Sequence, residues 1–393
     1  MNIINQLLDK IPSVYIKENI STNSSGENMN TYKIAFIPGD GVGSEVTAEA
    51  EKILNVTAEK HGFQIKSQYF DWGCDYYLDN GIMMPDDALD ILKMSDAIFL
   101  GCIGDAAKVP DHISLTMLMA IRKGFDQYVN LRPIKIYPGV DSPIKNVTPE
   151  KLDMVVIREN TEGEYSASGG FFKTGTPDAF ALQTAIFTHK GCERVIRYAF
   201  DLAAKRNKFK GREHTGMVTN CTKSNALNYS MVFWDSVYNQ VAKKYPNIKT
   251  DMALVDALTM WFVKNPDYFD VIVASNLFGD IITDLGAMLQ GGMGFAAGGN
   301  INPEKEYPSM FEPIHGSAPK YTGKGVVNPI ASIESVRMML DHLDENEAAK
   351  DIEDAVSKVL SEGTFRTADM GGTSKTHEVG NAVAAAIKAR YKV

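Results

Sequence analysis

Short apolar strands alternate with helical segments along most of this chain, and that alternation limits the fold more than any other feature. Six runs of apolar and β-branched residues predict strands: KIAFI, AIFLG, MVVIR, GMVTN, MALVD and VIVAS. Helical stretches such as 45–61 and 114–124 lie between several of them. MVVIR and VIVAS are almost continuously apolar, which is typical of strands covered on both faces. The pattern predicts an α/β fold with parallel strands.

Composition excludes several classes of protein. The chain has 393 residues, 44% hydrophobic and 23% charged, which is enough for two domains with a sizeable core. A formal net charge of −9 without any basic run disfavours nucleic-acid binding. No apolar run reaches the roughly 18 residues that a membrane helix needs, and the four cysteines form no C-x-x-C pair. We therefore expect a cytoplasmic protein with reduced thiols and without a nucleic-acid or membrane partner.

The segment 1–30 is expected to be a flexible N-terminal extension. It mixes charged and apolar residues and ends in the polar tract STNSSGENMN, so it fits neither a secretory signal nor a transit peptide. Met29 stands just before the first predicted strand and is an alternative start.

The segment VIVASNLFGDIITDLG contains a predicted strand, a turn and the start of a helix. Asp280 and Asp284 are four residues apart on that helix and therefore lie on one face. Two carboxylates so placed favour a divalent cation, Mg²⁺ or Mn²⁺, which prefers oxygen ligands and leaves positions for substrate. A solvated helix start is the alternative explanation. In that position Asp280 is expected to be exposed and to contribute little to stability.

Two further features suggest binding of small anions. The loop PGDGVGSE joins a strand to a helix, but Ser44 stands where a dinucleotide fingerprint has its third glycine, so a tight turn explains it as well. Arg122, Arg132 and Arg158 lie on separate elements near predicted strand ends. Each alone would be a surface ion pair, whereas three together favour a grip on the carboxylates of a di- or tricarboxylic acid.

Several ordered blocks carry a resemblance to a known family. They are PGDGVGSEV, RENTEGEY, TKSN, ASNLFGDIITDLG, FEPIHGSAP and the NP at Asn328. Together they resemble the β-decarboxylating dehydrogenases, the isocitrate and isopropylmalate dehydrogenase superfamily, from about Tyr32 to the end. Within it, FDWGCDYYLDNGIMMPDD, VPDHISL, FDQYVNLRPIKIYPGVDSP and FWD are most similar to the tartrate dehydrogenase/decarboxylase and D-malate dehydrogenase branch.

The resemblance implies a fold and a domain organisation. It implies an isocitrate/isopropylmalate dehydrogenase-like fold of two α/β domains that share a central sheet, with a cleft between them, and not a Rossmann fold. The expected larger, nucleotide-binding domain comprises 31–127 and 292–393. The expected smaller domain, 128–291, carries substrate, metal and dimerisation functions.

The resemblance also implies a reaction and a role for each site residue. The reaction is NAD(P)-dependent and divalent-metal-dependent oxidative decarboxylation of a small 2-hydroxy dicarboxylic acid of the D-malate or tartrate type, acting on a CH–OH donor. Arg122, Arg132 and Arg158 would bind the substrate carboxylates. Asp256, Asp280 and Asp284 would bind Mg²⁺ or Mn²⁺. Lys223 would accept the hydroxyl proton and Tyr165 would protonate the enolate carbon. Lys223 and Asp256 would serve the neighbouring subunit's site, which implies a homodimer.

By the same resemblance, the nucleotide contacts a loop after FEP. The residues expected there are His315, Gly316, Ser317 and Ala318, with Asn328 at the adenine edge. NAD-using members have an aspartate after HGSAP, whereas this chain has Lys320 and then Tyr321. A cation and a phenol donor at this place favour the 2′-phosphate of NADP.

Substrate choice is left open by the sequence. Thr116, Leu118 and Met119 precede Arg122 and would face the C3 substituent. Leu118 and Met119 are apolar, which also suits the alkyl group of 3-isopropylmalate, and an apolar wall discriminates modestly. Further alternatives are an isocitrate dehydrogenase, a non-catalytic subunit of the same fold and, from another class, a metal-dependent phosphatase or nuclease, which would leave the three arginines unexplained.

Overall fold

A computed structural model of the chain describes residues 29–207 and 216–389. Residues 1–28 of the predicted extension 1–30 therefore lie outside the described residues. The strands are β1 (Thr31–Gly39), β2 (Gln64–Tyr69), β3 (Ala97–Cys102), β4 (Val129–Lys135), β5 (Asp153–Glu159), β6 (Gly163–Phe172), β7 (Phe180–Ile186), β8 (Val218–Thr222), β9 (Thr250–Leu254), β10 (Val271–Ala274), β11 (Ala297–Ile301) and β12 (Ser309–Pro313). The helices are α1 (Gly43–His61), α2 (Cys74–Asn80), α3 (Ala88–Leu92), α4 (Asp111–Gly124), α5 (His189–Asn207), α6 (Ser230–Ala242), α7 (Val255–Lys264), α8 (Asn276–Leu289), α9 (Ile330–His342), α10 (Asn346–Glu362) and α11 (Thr376–Ala389).

Ten strands form one continuous sheet in the order β2-β1-β3-β12-β11-β4-β5-β10-β8-β9. All six sequence-predicted strands overlap members of this sheet, and the helices predicted over 45–61 and 114–124 are α1 and α4. Five strands come from the parts of the chain assigned to the larger domain and five from 128–291, and the β11–β4 pair joins the two sets. The domain boundaries themselves stay a prediction.

The sheet is mixed, whereas the sequence pattern predicts parallel strands. β4 runs antiparallel to both β5 and β11, and β11 also runs antiparallel to β12. These two strands escaped prediction because VNLRPIK and AGGNI contain polar residues and glycine instead of a continuous apolar run. Both are nevertheless central, and their polar side chains are buried in the middle of the molecule.

The topology places four chain segments at one edge of the sheet. β5, β10, β8 and β9 are parallel neighbours, so their carboxyl ends meet there. Arg158 is the penultimate residue of β5, α8 follows β10, Lys223 follows β8, and Asp256 is the second residue of α7 after β9. Ligands of open α/β sheets bind outside the carboxyl ends of strands, and this edge is therefore the first place to look for chemistry.

A separate two-stranded ribbon, β6–β7, leaves the main sheet. Its apolar side chains are poorly covered: Phe171 is 81% exposed, and Phe172 stacks on Phe180 at a centroid distance of 4.9 Å while both remain exposed. In the described ranges, no helix combines the length and apolar character needed to cross a bilayer. All four cysteines are buried and unpaired, which confirms the prediction that none forms a disulfide.

Candidate active site

Arg158 forms the centre of a buried polar cluster at the carboxyl edge of the sheet. Its side chain is 2% exposed and makes an ion pair of 2.6 Å from Nη1 to Asp280 Oδ1. Asn276, at the start of α8, accepts from Arg158 Nε through its carbonyl at 2.9 Å and from Nη2 through Oδ1 at 2.7 Å. A Cβ on Gly279 would lie 2.5 Å from Arg158 Cγ, so glycine is required on α8 for the arginine to pass.

Arg132 reaches the same carboxylate from β4. Its Nη1 donates to Thr283 Oγ1 at 2.5 Å and lies 3.5 Å from Asp280 Oδ1, while Nε donates to Asn130 Oδ1 at 2.7 Å. Burial lowers the pKa of both Arg132 and Arg158, and the repulsion between the two lowers that of Arg158 further. Two buried guanidinium groups so close together make a strongly electropositive site.

Arg122 approaches from the last turn of α4. Its Nη2 lies 3.0 Å from Glu312 Oε1 on β12, and its buried Nε has no hydrogen-bond partner among the described residues. Its charge contributes to the pKa shifts of both Arg158 and Asp280. The structure thus brings together the three sequence-predicted arginines, and one buried donor remains available to an anionic ligand.

Asp280 connects these cations to Tyr165. The Tyr165 hydroxyl donates to Asp280 Oδ2 at 3.1 Å, and its ring centroid lies 5.4 Å from the Arg158 guanidinium carbon. Partial burial raises the pKa of Asp280, but Arg158 and Arg132 outweigh this and hold it below its usual value. Burial and the neighbouring carboxylate raise the pKa of Tyr165. Asp280 is 39% exposed, so it is partly solvated as expected, but it is also paired with a buried guanidinium; its contribution to stability stays a prediction.

Among the described residues, no hydrogen bond or ion pair joins Lys223 or Asp256 to these side chains. The two residues pair with each other at 2.6 Å, and their side chains are 28% and 62% exposed. The hydrogen bond from Lys223 lowers the pKa of Asp256. Over residues 29–207 and 216–389, no three acidic, histidine or cysteine side chains converge as a metal site would require. One chain therefore brings together Asp280 and Asp284 on α8 but not Asp256. We call Arg122, Arg132, Arg158, Asp280 and Tyr165 the arginine cluster, and Lys223 with Asp256 the edge pair.

The donors on α8 fit a divalent cation. Asp284 is one turn beyond Asp280, is exposed, and makes no hydrogen bond or ion pair in the part of the chain that the structure describes. Partial burial and the charge of Asp280 raise its pKa despite the opposite effect of Arg132. The charged form of Asp284 is therefore disfavoured and has no bonded cation among the described residues, so this carboxylate is suited to a hard metal ion. Mg²⁺ commonly binds one or two protein carboxylates plus substrate oxygens.

A cavity of about 650 Å³ contains most of the residues predicted to bind nucleotide. His315, Gly316, Ala318, Tyr321 and Asn328 line it. Ser317 is not part of the lining, because it is buried below the loop, where its hydroxyl donates to Gly104 O.

The histidine and the asparagine of this cavity are both held in place. Burial lowers the pKa of His315, so the ring is neutral near pH 7, and its Nδ1 donates to Gly316 O at 3.0 Å. Asn328 Oδ1 accepts from Ile330 N at 3.0 Å, while Nδ2 donates to Asp369 Oδ2 at 3.0 Å. The amide that was expected to meet adenine is thus oriented by the protein itself.

The loop after His315 carries two cations next to an aromatic ring. Lys320 Nζ lies 4.8 Å and Lys324 Nζ 5.8 Å from the centroid of Tyr321. Lys320 is exposed and does not itself line the cavity, whereas Tyr321 does. The glycine loop PGDGVGSE, predicted as a tight turn, packs against the backbone at Ser317. A Cβ on Gly41 would clash with Ser317 O, so glycine at this position permits the close contact between the two backbones.

Sequence reasoning missed three residues of this region. Glu312 pairs with Arg122, Asn276 holds Arg158, and Asp369 lines the cavity around His315 and Asn328. Glu312 and Asn276 belong to blocks that carry the family resemblance, so their position was a signal although no role was assigned. Asp369 lies in a short turn without any sequence pattern that would have indicated it.

Comparison with known proteins agrees with this geometry. The model of the isocitrate/isopropylmalate dehydrogenase family matches residues 33–383. A probable tartrate dehydrogenase/decarboxylase of Bacillus subtilis (strain 168) is 49% identical over 353 residues, which are 89% of this chain and 96% of that protein. The D-malate dehydrogenase [decarboxylating] of Escherichia coli (strain K12) is 45% identical over 362 residues, 90% of this chain and 98% of that protein.

A solved structure extends the likeness to three dimensions. The crystal structure of isocitrate dehydrogenase from Methylococcus capsulatus superposes with a TM-score of 0.81 at 34% sequence identity and covers 91% of this chain and 99% of that one. The predicted family and fold class are both confirmed. The chain belongs to the isocitrate/isopropylmalate dehydrogenase family.

Proposed function

We propose that this protein oxidises and decarboxylates a small 2-hydroxy dicarboxylic acid of the D-malate or tartrate type. The observation that carries the proposal is the arginine cluster: the buried Arg158 and Arg132 both lie at Asp280, Tyr165 donates to the same carboxylate, and the charge of the buried Arg122 also lowers the pKa of Asp280. The names of the relatives support this substrate class over 3-isopropylmalate and isocitrate. A non-catalytic subunit would not need the buried Arg122 donor that has no protein partner.

The arginine cluster supplies binding and orientation. A substrate with two carboxylates would be gripped by Arg122, Arg132 and Arg158, whose planar forks match carboxylate geometry. Buried side chains fix these arginines, so the bound substrate presents its reacting C2–H in one orientation. The substrate's translational and rotational entropy is then lost on binding and not in the chemical step.

Proton transfer is assigned to two side chains. Lys223 accepts the proton of the C2 hydroxyl as hydride leaves C2, and loss of CO₂ from the resulting β-keto acid leaves an enolate. Tyr165 returns a proton to the enolate carbon. The hydrogen bond from its hydroxyl to Asp280 orients the phenol, and a tyrosine, whose ordinary pKa is about 10, is protonated at neutral pH and can act as an acid.

Two groups from solution complete the chemistry. NAD(P)⁺ supplies the hydride acceptor, and Mg²⁺ or Mn²⁺ supplies positive charge that stabilises the developing negative charge on the substrate oxygen. Asp280 and Asp284 would hold the cation, with Asp256 from another subunit, and the cavity around His315 and Asn328 would hold the nucleotide.

A preference for NADP is supported by the charges near Tyr321. Lys320 and Lys324 place two ammonium groups within 6 Å of the ring centroid, at 4.8 and 5.8 Å. The carboxylate of Asp369 in the same cavity is already bonded by Asn328 and Thr367. Cations are therefore the groups best placed to attract a 2′-phosphate.

A homodimer is supported by an apolar surface next to the site. Ile281 and Met288 of α8, Met260 of α7 and Phe171 of the β6–β7 ribbon are 54%, 51%, 71% and 81% exposed. Exposed apolar side chains on neighbouring elements mark interaction surfaces. A second copy that covered them would also bring its edge pair toward the first copy's α8, which explains why one chain does not assemble three metal ligands. The unpaired, buried cysteines support a cytoplasmic location.

One assay tests the proposal. Purified protein is mixed with Mg²⁺ or Mn²⁺, either nucleotide, and in turn D-malate, tartrate, 3-isopropylmalate and isocitrate, and formation of reduced nucleotide is followed by absorbance. We expect D-malate or tartrate to give the highest kcat/KM and chelator to abolish the signal. Absence of reduced nucleotide with all four acids would refute the enzyme assignment, and a best rate with 3-isopropylmalate or isocitrate would refute the substrate class.

A further inference from the structure

A row of buried amides crosses the centre of the sheet beneath the arginine cluster. Asn130 on β4 and Asn300 on β11 are directly opposite each other, and Asn160 follows β5. Their exposed fractions are 1%, 0% and 0%. Three buried asparagines in contact are unusual in a sheet interior, because each amide must be fully hydrogen-bonded to avoid a large desolvation cost.

These amides form a directed chain of hydrogen bonds between two arginines. Glu312 Oε1 accepts from Arg122 Nη2 at 3.0 Å and from Asn300 Nδ2 at 2.7 Å. Asn300 Oδ1 accepts from Asn130 Nδ2 at 2.8 Å, and Asn130 Oδ1 accepts from Arg132 Nε at 2.7 Å. Arg122 and Arg132 are thus connected through three side chains, although the sequence assigns them to different domains.

The direction of each bond in this chain is fixed. Asn300 must donate to Glu312 and accept from Asn130, which in turn must accept from Arg132. Asn160 Nδ2 also donates to Asn300 Oδ1 at 3.0 Å, which prevents the Asn300 amide from turning over. Neither a carboxylate nor an apolar side chain at position 300 could both donate and accept in this way.

We propose that Asn300 and Asn130 are positioning residues, which hold Arg122 and Arg132 at a fixed separation and orientation for the two carboxylates of the substrate. This inference rests on the proposed function for its substrate. The chain of bonds uses Arg122 Nη2 and Arg132 Nε, and leaves other guanidinium donors, including the unpartnered Arg122 Nε, for the ligand. A receptor assembled before the substrate arrives binds it with less loss of side-chain entropy.

Asn302 provides a matched control. It is 2% exposed and two residues beyond Asn300, but its amide bonds to a loop: Nδ2 donates to Asp126 O at 3.2 Å and Oδ1 accepts from Glu306 N at 2.9 Å. It contacts neither arginine. Loss of Asn302 therefore removes a buried amide of the same type without touching the chain from Arg122 to Arg132.

The test compares Asn300→Ala, the isosteric Asn300→Asp and Asn302→Ala in the full-length protein with Mg²⁺. For the two Asn300 variants we expect KM for D-malate to rise about ten-fold or more while kcat changes much less, because carboxylate binding contributes equally to ground and transition states. Asn302→Ala should lower thermal stability and leave KM unchanged. Equal KM values in all three variants, or a loss confined to kcat, would overturn the inference.

A second readout does not depend on turnover. Phenylglyoxal labelling of arginines, mapped by mass spectrometry, should be faster at Arg122 and Arg132 in Asn300→Ala than in the unaltered protein or in Asn302→Ala. Faster labelling of Asn300→Ala, together with inactivity of the unaltered protein toward every hydroxy acid, would retain the positioning role and refute the proposed function. Activity with D-malate together with unchanged labelling would refute the positioning role alone.

Discussion

The arginine cluster and the edge pair lie at the same edge of the sheet but differ in how they are built. In the cluster, Arg158 is 2% exposed, its bonded partners Asn276 and Asp280 lie on α8 of the same chain, and the Tyr165 ring beside it lies on β6. In the edge pair, Lys223 and Asp256 follow the last two strands of the sheet, and within the described part of the chain their side chains bond only to each other. The cluster is complete within one chain, whereas the pair lies next to uncovered apolar surface.

The difference indicates how the work of the site is divided. Buried guanidinium groups need fixed counter-charges and a surrounding shell, which only the chain that carries them can supply during its own folding. A proton acceptor and one more metal ligand can arrive later on another subunit, because at an exposed edge they cost little to hold apart from the site. Each of the following predictions tests one side of this division.

The largest effect is expected when one variant alters the arginine cluster, a second variant alters the edge pair, and the two variants are then mixed. Asp280→Asn and Lys223→Met should each lower kcat by about a thousand-fold, because one removes a proposed metal ligand and the other the proposed proton acceptor. Dissociation and reassociation of an equal mixture should restore about a quarter of the unaltered activity, since half of the dimers are mixed and each has one intact site. Turnover is measured before and after mixing. No recovery would show that each site is built from one chain.

The next effect concerns the apolar surface beside the edge pair. Met260→Asp should raise the dimer dissociation constant by about a hundred-fold, because two unpaired carboxylates, one per subunit, would be buried. Met94→Asp is the control, since Met94 is 69% exposed, like Met260 at 71%, but lies beyond α3. Sedimentation velocity over a concentration series measures both. A dimer equally stable in both variants would exclude α7 from the interface.

A smaller effect is expected at the cavity around His315 and Asn328, which is proposed to hold the nucleotide and belongs to neither region. Lys320→Asp should change the ratio of kcat/KM for NADP to that for NAD by about ten-fold or more in favour of NAD, because a carboxylate repels the 2′-phosphate and accepts from a ribose diol. KM for the hydroxy acid should not change. An unaltered nucleotide ratio would mean that Lys320 only faces solvent.

The smallest effect is on stability. Arg158 and Arg132 hold the pKa of Asp280 below its unfolded-state value of about 3.9, so its contribution is present above that pH and is lost as pH falls below it. Asp280→Asn should cost about 1 kcal/mol at pH 7, a figure reduced for the solvent around this 39%-exposed carboxylate, and less at pH 3.

Asp256→Asn is the matched substitution in the edge pair. Lys223 lowers the pKa of Asp256 as well, but that carboxylate is 62% exposed and its ion pair lies at the surface, so the melting temperature of Asp256→Asn should equal that of the unaltered protein at both pH values. Thermal unfolding of the metal-free protein measures both variants. An equal loss of stability for the two would contradict the contrast between the regions.

Much of the site could be predicted from the sequence, and the rest depends on contacts between distant segments. The i, i+4 spacing of Asp280 and Asp284 gave their shared helix face, and apolar runs gave the six predicted strands. The antiparallel β4 and β11 could not be predicted, because their polar residues are buried only by partners far along the chain. For the same reason Glu312 received no role, since its partner Arg122 is 190 residues away.

The sequence by itself determined the family, the alternating α/β architecture and the identity of the arginines, carboxylates and phenol, because ordered blocks and local periodicity survive in one dimension. Only the tertiary structure decided that Asp280 is bonded to Arg158 and Tyr165, that Lys223 pairs with Asp256, and that amides connect Arg122 to Arg132. These outcomes depend on distances between side chains from different strands, which no local pattern encodes.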